Sequence, residues 1–231
     1  MQFIPTTSQK DFVRQGVQSL KESITHAFEK HGSCCLGLSG GSTPRPIYEE
    51  LGKEDIDWSK VTVFLTDERY VLPDDEDSNQ KMVTDTLLKH ASVPHSNLIF
   101  PDTSLPIDDC IGDYSEQLKK MIDDSEWLPD VITLGLGTDG HIASLFPPVP
   151  EIAMTDLCFA LHTTTDNFEV PDRISLALNV IGSASDHIFF LKGEDKKKVW
   201  EEMMESGEGE SRWPAKRILE PPDRATIITQ W

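Results

Sequence analysis

The sequence predicts an α/β fold: a mainly parallel sheet covered by helices on both faces. Two observations carry this prediction. Short apolar runs alternate with stretches of helical periodicity along most of the 231 residues, and the polar, glycine-bearing loops follow the apolar runs, at the carboxyl ends of the expected strands. In an open parallel sheet, ligands bind at that end.

Residues 8–31 place Phe12, Val13, Val17, Leu20, Ile24, Ala27 and Phe28 at helical spacing, with Thr7 or Ser8 as a cap and Gly32 as the stop. The apolar run Cys34 to Leu38 predicts a strand, followed by the loop Ser39-Gly40-Gly41-Ser42-Thr43 and a helix from Pro44 to about Leu51. The order repeats with Val61 to Thr66 as strand, Asp67 to Asp77 as loop and Ser78 to Ala91 as helix, its face made by Met82, Val83, Thr86 and Leu87. Asn97 to Phe100 predicts a brief strand, Ile107 to Asp124 a helix, and Val131 to Leu136 a strand running into the loop Gly137 to Gly140. The last third is less regular. His187 to Leu191 and Ala225 to Thr229 predict strands and Asp195 to Met204 a helix, with Gly207 to Ser211 as a surface turn. No internal repeat or linker divides the chain, so residues 1–231 are expected to form one domain.

The 21 basic residues against 40 acidic ones give a formal charge of −19, which argues against nucleic acid and anionic membrane surfaces as partners. An anionic substrate would meet the same repulsion, so a bound phosphate requires locally placed N–H groups and a few cations. The N-terminus lacks a basic region followed by an apolar stretch, and no uncharged run approaches membrane-spanning length, which predicts a cytosolic protein. Cys34 and Cys35 are adjacent while Cys110 and Cys158 stand alone, and the histidines show neither HExxH nor HxxxH spacing. Buried free thiols and no metal are therefore expected.

Chemistry is sought in the loops. Ser39 to Pro44 combines glycines with hydroxyls at a helix start, as a phosphate cradle would, although a tight turn with Thr43 as a helix cap explains it equally well. No Gly-Lys-Ser/Thr follows, so it is not a Walker A loop. Gly135 to Gly140 matches GxGxxG, yet the dinucleotide fingerprint needs a long helix at the glycines, and here Pro147 and Pro148 intervene too soon. What remains is His141, directly after a flexible loop at the ligand end of a strand, where it is either an exposed loop histidine or a general base. In the second loop Asp67, Glu68 and Arg69 form either a solvated turn or a group that orients a base and offsets negative charge.

Taken together, Leu38-Ser-Gly-Gly-Ser-Thr-Pro44, Thr66-Asp-Glu-Arg-Tyr70 with Asp77-Ser78-Asn79, and Gly135-Leu-Gly-Thr-Asp-Gly-His-Ile-Ala-Ser-Leu-Phe-Pro147 resemble the 6-phosphogluconolactonase family. The resemblance continues through Asp172-Arg-Ile-Ser-Leu176, Leu191-Lys-Gly-Glu-Asp-Lys196 and Pro214-Ala-Lys216, and so covers nearly the whole chain from about residue 33. It implies a Rossmann-like fold shared with the glucosamine-6-phosphate deaminases, a place in the oxidative pentose phosphate pathway, a sugar-phosphate lactone as substrate, no cofactor, and a monomer or small homo-oligomer. It also implies that Gly40, Gly41, Ser42, Arg173 and Lys196 hold the 6-phosphate and that His141 activates water. Asp67 would orient or polarise the histidine or the water, and Arg69 would offset charge on the carbonyl oxygen. Glu68 receives no role.

Two other functions compete. An amino-sugar-phosphate deaminase of the same fold resembles Asp-Glu-Tyr after the second strand and carries a glutamate shortly after the glycine-histidine loop, where this chain has Arg69 and Phe146. A non-catalytic sugar-phosphate sensor could lose the reacting centre and would bring a partner domain, whereas Asp67, Arg69 and His141 are all present in a chain with no room for one.

Overall fold

The computed structural model describes residues 1–125, 129–155, 157–220 and 224–231. The chain opens with β1 (Gln2–Pro5) and α1 (Gln9–His31), then β2 (Cys34–Leu38), α2 (Arg45–Leu51) and β3 (Val61–Leu65). Next come β4 (Asp67–Arg69), α3 (Asn79–Asp85), β5 (Leu98–Ile99), α4 (Ile107–Ser125) and β6 (Val131–Leu134). The last third holds β7 (Ala160–Thr164), β8 (Asp172–Leu176), α5 (Leu178–Ser183), β9 (Asp186–Lys192), α6 (Glu194–Glu205), α7 (Ala215–Leu219) and β10 (Ala225–Gln230).

Seven strands form one parallel sheet in the order β1-β10-β9-β6-β2-β3-β5. Alternation along each strand splits the core into two layers. Leu36, Leu38, Val63, Leu65, Ile188 and Phe190 pack under α1, α2 and α3, while Cys35, Phe64, Ile132, Leu134, Phe189 and Leu191 face α4 to α7. Helix α1 contributes Phe12, Leu20, Ile24 and Ala27 to the first layer, and its start is held by Ser8, whose hydroxyl accepts the Asp11 N–H. Phe12, Leu20 and Ile24 each stabilise the fold by about 1.5–3 kcal/mol on full burial. The expected α/β architecture with helices on both faces is therefore the one observed.

The chain winds from β2 outward through β3 to β5, then returns to place β6 on the other side of β2. That reversal between β2 and β6 is the switch point at which loops diverge and leave a crevice at the carboxyl ends of the strands.

Several elements differ from expectation. Residues 67–69, read as loop, form β4, which pairs antiparallel with β8; β8 pairs antiparallel with β7, giving a second, three-stranded sheet. Three polar or charged residues in a row carry no strand signal, and the pairing comes from residues about a hundred positions downstream. Strand β1 was also invisible: four half-exposed residues ending in proline join the sheet only because β10 offers its edge. Helix α3 ends at Asp85 rather than Ala91. The Thr86 hydroxyl donates to the Met82 carbonyl at 2.7 Å, the backbone leaves the helical region, and Leu87 is still buried by the turn that follows.

Candidate active site

Three loops meet at the switch point. The first follows β2. Its entry is fixed by Thr133 of β6, whose hydroxyl accepts the Ser39 N–H at 2.8 Å, and by the Tyr48 hydroxyl, which donates to the Ser39 carbonyl at 3.0 Å. Tyr48 is fully buried, and burial pushes its hydroxyl up to about 12 despite the contacts with Ser39 and Thr133 that favour its ionised form. Gly40 lies so close to Asn79 that a Cβ would come within 1.9 Å of its Oδ1, and only glycine allows this approach.

The second comes from β4. Its antiparallel register places Asp67 opposite Ser175, Glu68 opposite Ile174 and Arg69 opposite Arg173. Period-two alternation sends Asp67, Arg69 and Arg173 to the cleft face and Glu68 to the interior. Two guanidinium groups thus lie side by side in the cleft wall. Burial lowers the pKa of Arg173 and the neighbouring Arg69 charge lowers it further, against the pull of Asp67, Asp77 and Glu68. Arg173 is oriented by its Nε bond to the Val170 carbonyl at 2.8 Å, and Arg69 by Nη1 donating to the Asp77 carbonyl at 2.7 Å. Asp67 accepts the Ser144 hydroxyl at 2.7 Å.

Glu68, which the sequence left without a role, is 1% exposed and accepts the backbone N–H groups of Arg69, Asn79 and Gln80, each at 2.7 Å, and the Ser78 hydroxyl at 3.2 Å. It fastens β4 to the start of α3, where the Asn79 and Gln80 N–H groups lack helical partners. Asn79 completes the junction by donating its amide to the Asp67 carbonyl at 2.9 Å.

The third loop follows β6. Residues 141–146 form turns closed by an Ile142–Leu145 bridge, not a helix, in keeping with the rejection of the dinucleotide motif. His141 Nδ1 lies 2.5 Å from Asp139 Oδ1, which also accepts the His141 N–H at 3.3 Å. Burial alone would raise the Asp139 pKa, but the hydrogen bond and charge of His141 prevail and hold it at about 2. With Nδ1 engaged by a carboxylate, the Nε2 atom is the one free to act on a ligand. The imidazole packs against Phe146 and Phe168, with ring centroids 4.7 and 5.7 Å away. Gly137 makes room for it, since a Cβ there would fall 2.1 Å from His141 Nδ1.

These elements enclose a cleft of about 390 Å³, within the size range of small-molecule sites. Gly40, Gly41, Ser42, Asp67, Arg69, His141, Arg173 and Lys196 all line it, so the structure brings every sequence-predicted site residue together. Lys192 is a fourth cation in its wall. Burial lowers the pKa of Lys196, partly offset by Asp139 and Asp195. The cleft is thus cationic inside a chain of net charge −19, meeting the requirement set by composition. Sequence reasoning missed Asp139, Ser144, Phe168 and Lys192. Asp139 was legible, because an aspartate two residues before a histidine across a glycine is within reach of its ring; Phe168 carried no local signal. Among the described residues no group of three His, Cys, Asp or Glu side chains is placed to hold a metal ion, and no helix is long and apolar enough to cross a membrane.

The sequence family described as glucosamine-6-phosphate isomerases/6-phosphogluconolactonase matches residues 7–228. The chain belongs to this family. Among relatives within it, a probable 6-phosphogluconolactonase of Dictyostelium discoideum is 42% identical over 216 residues, covering 93% of this chain and 92% of that protein. The 6-phosphogluconolactonase of Synechocystis is 32% identical over 202 residues, covering 86% and 82%. The solved structure of 6-phosphogluconolactonase from Plasmodium vivax superposes with a TM-score of 0.88 at 29% identity, covering 99% of this chain and 90% of that one. The crystal structure of the Thermotoga maritima enzyme gives 0.85 at 25% identity over 99% of both chains.

Proposed function

We propose that this chain hydrolyses 6-phospho-D-glucono-1,5-lactone to 6-phosphogluconate in the oxidative pentose phosphate pathway. The observation that carries the reading is the Asp139–His141 pair standing in a cleft with Arg69, Arg173 and Lys196 beside a glycine-rich loop. The family and its lactonase members support the same substrate class.

Opening a ring ester needs an activated water, a stabilised oxyanion and a proton for the departing ring oxygen. Nε2 of His141 removes a proton as water attacks C1, and the imidazolium returns it to the ring oxygen when the C1–O bond breaks. General acid–base help of this kind contributes roughly 10²- to 10⁴-fold. Asp139 fixes the ring and stabilises the imidazolium, a part that the sequence had offered to Asp67. Asp67, held by Ser144, then acts on the water rather than on the histidine. Arg69 offsets charge growing on the carbonyl oxygen. Gly40, Gly41 and Ser42 with Arg173 and Lys196 take the 6-phosphate.

The test is turnover of the lactone followed by NMR against its spontaneous hydrolysis, for wild type and His141→Ala. Rapid opening by wild type and near-background opening by the variant is expected. A folded His141→Ala protein with wild-type turnover would refute the mechanism, and an inactive wild type the substrate.

A further inference from the structure

The turn carrying Asp139 and His141 is gripped from outside the cleft by residues that neither its own loop nor the family motifs quoted above include. Arg212 Nη1 donates to the Asp139 carbonyl at 2.9 Å. Its guanidinium lies 3.7 Å over the indole of Trp213, which is 1% exposed and so forms a fixed floor. The turn is shaped to admit this pair. Gly140 has φ +93°, and a Cβ there would come within 2.6 Å of the Trp213 ring and 2.7 Å of Arg212 Nη1.

The gripping segment is itself anchored. Lys216 donates to the carbonyls of Ser206 and Glu208, Arg212 and Trp213 close turns onto the Gly209 carbonyl, and the Ser211 carbonyl accepts the Val149 N–H at 2.8 Å. Glu202, 4.0 Å from Arg212 Nη2, adds an acidic neighbour on the solvent side.

The Asp139–Gly140 peptide, whose N–H donates to the Gly137 carbonyl at 3.0 Å, is the place where the turn could rotate once its carbonyl is released, because Gly140 sits in the backbone region that glycine enters and leaves most freely. Rotation of that peptide would move the Asp139 carboxylate relative to the ring. A planar, permanently charged guanidinium can stack flat on an indole while its in-plane N–H groups hold a carbonyl, a geometry that a lysine ammonium, with no plane to stack, does not reproduce.

We infer that Arg212, seated on Trp213, is a positioning residue for the Asp139–His141 pair, fixing the peptide that aims the Asp139 carboxylate at His141 Nδ1. The inference rests on the reading of His141 as the base, and its tests separate the two. Arg212 is about one-third exposed, so Arg212→Ala is expected to fold, as far-UV circular dichroism and melting would verify. Its kcat on the lactone should fall about 10- to 100-fold, the scale of a misplaced catalytic group, with KM changed less than about threefold. In an Asp139→Asn background the same substitution should cost less than about twofold more, since the residue it acts through is already disabled. Arg212→Lys should recover little of the loss.

A loss borne by KM, an equal factor in both backgrounds, unchanged kcat, or full rescue by lysine would each overturn the proposal. A second readout needs no turnover. The downfield ring N–H resonance of His141, identified by its disappearance in His141→Ala, should be sharp in wild type and broadened or shifted upfield in Arg212→Ala. An unchanged resonance would overturn the positioning role. Wild type without lactonase turnover would sink the functional reading while leaving this measurement to decide Arg212.

Discussion

Replacing Glu68 with glutamine should make the pH dependence of stability cross over. Burial pushes the Glu68 carboxyl from an ordinary 4.5 up to about 7, against the backbone N–H groups of Asn79, Gln80 and Arg69 that favour its ionised form. Between those two pH values the folded chain keeps a proton that the unfolded chain has released. The stabilisation from this group is therefore complete below about pH 4.5 and is lost as the pH rises through 7, by about 3 kcal/mol in all. In Glu68→Gln the amide oxygen can keep the Arg69 and Asn79 N–H groups and the amide nitrogen can donate to Ser78, but the Gln80 N–H then faces a donor. That orphan costs about 1–3 kcal/mol at every pH. Wild type should thus be the more stable protein near pH 5, and near pH 8 the difference should vanish or reverse. Urea unfolding of both proteins at the two pH values measures it, and other titrating groups cancel in the difference. A gap that stays constant or widens toward pH 8 would refute the reasoning, because it would mean that the four donors, not burial, set the ionisation of Glu68.

Asp139→Asn should keep the fold and lower kcat by about 10²- to 10⁴-fold, since an amide holds the wrong imidazole tautomer; steady-state turnover checks this. Gly137→Ala should cost about 100-fold or more in kcat with melting changed by only a few degrees, because the new Cβ displaces His141 at the cleft wall rather than a core side chain. Arg173→Ala and Lys196→Ala should each raise KM about 10- to 100-fold, the worth of a charge-assisted hydrogen bond, and a change confined to kcat would remove them from the phosphate site. The stabilisation from Asp139 should be whole above about pH 4 and be lost progressively as the pH falls toward 2, so the stability of Asp139→Asn should lie closer to wild type near pH 2 than at pH 7, as urea unfolding at the two pH values would measure.

The parallel sheet was legible because each of its central strands is an apolar run long enough to be buried on both faces, as Cys34 to Leu38 and Val131 to Leu134 are. Strands β4, β7 and β8 were not, because polar and charged residues interrupt each of them, and β4 finds its partner about a hundred positions downstream. That omission had a chemical consequence. With residues 67–69 read as a loop, nothing in their spacing set Glu68 apart from Asp67 and Arg69; as a strand they separate into two that enter the cleft and one that leaves it. The same register puts Arg173 beside Arg69, a juxtaposition that neither loop discloses alone. His141 was found by its place after a strand, while its carboxylate partner was passed over although its spacing, two residues away across a glycine, made it legible.

The two-sheet arrangement also explains how so acidic a chain can receive an anion. At physiological salt, charges more than about 8 Å apart are largely screened at the surface, so the excess of acidic residues acts on an approaching phosphate mainly through its nearest members. Inside the cleft, distances are short and burial weakens screening around Arg69, Arg173 and Lys196, so these cations dominate, with the exposed Lys192 adding to them. The proximity of Arg69 and Arg173 is unfavourable without a ligand, as the effect of the Arg69 charge on Arg173 indicates, and Arg173 is held by the Val170 carbonyl and the ring of Phe168, 5.7 Å from its guanidinium carbon. Under the proposed assignment, a phosphate held by Arg173 and Lys196 would neutralise one side of that repulsion on binding. Part of the binding energy would then come from relieving the repulsion between two cations that the β4–β8 register forces together, with Arg173 taking the anion while Arg69 is left to face the carbonyl oxygen.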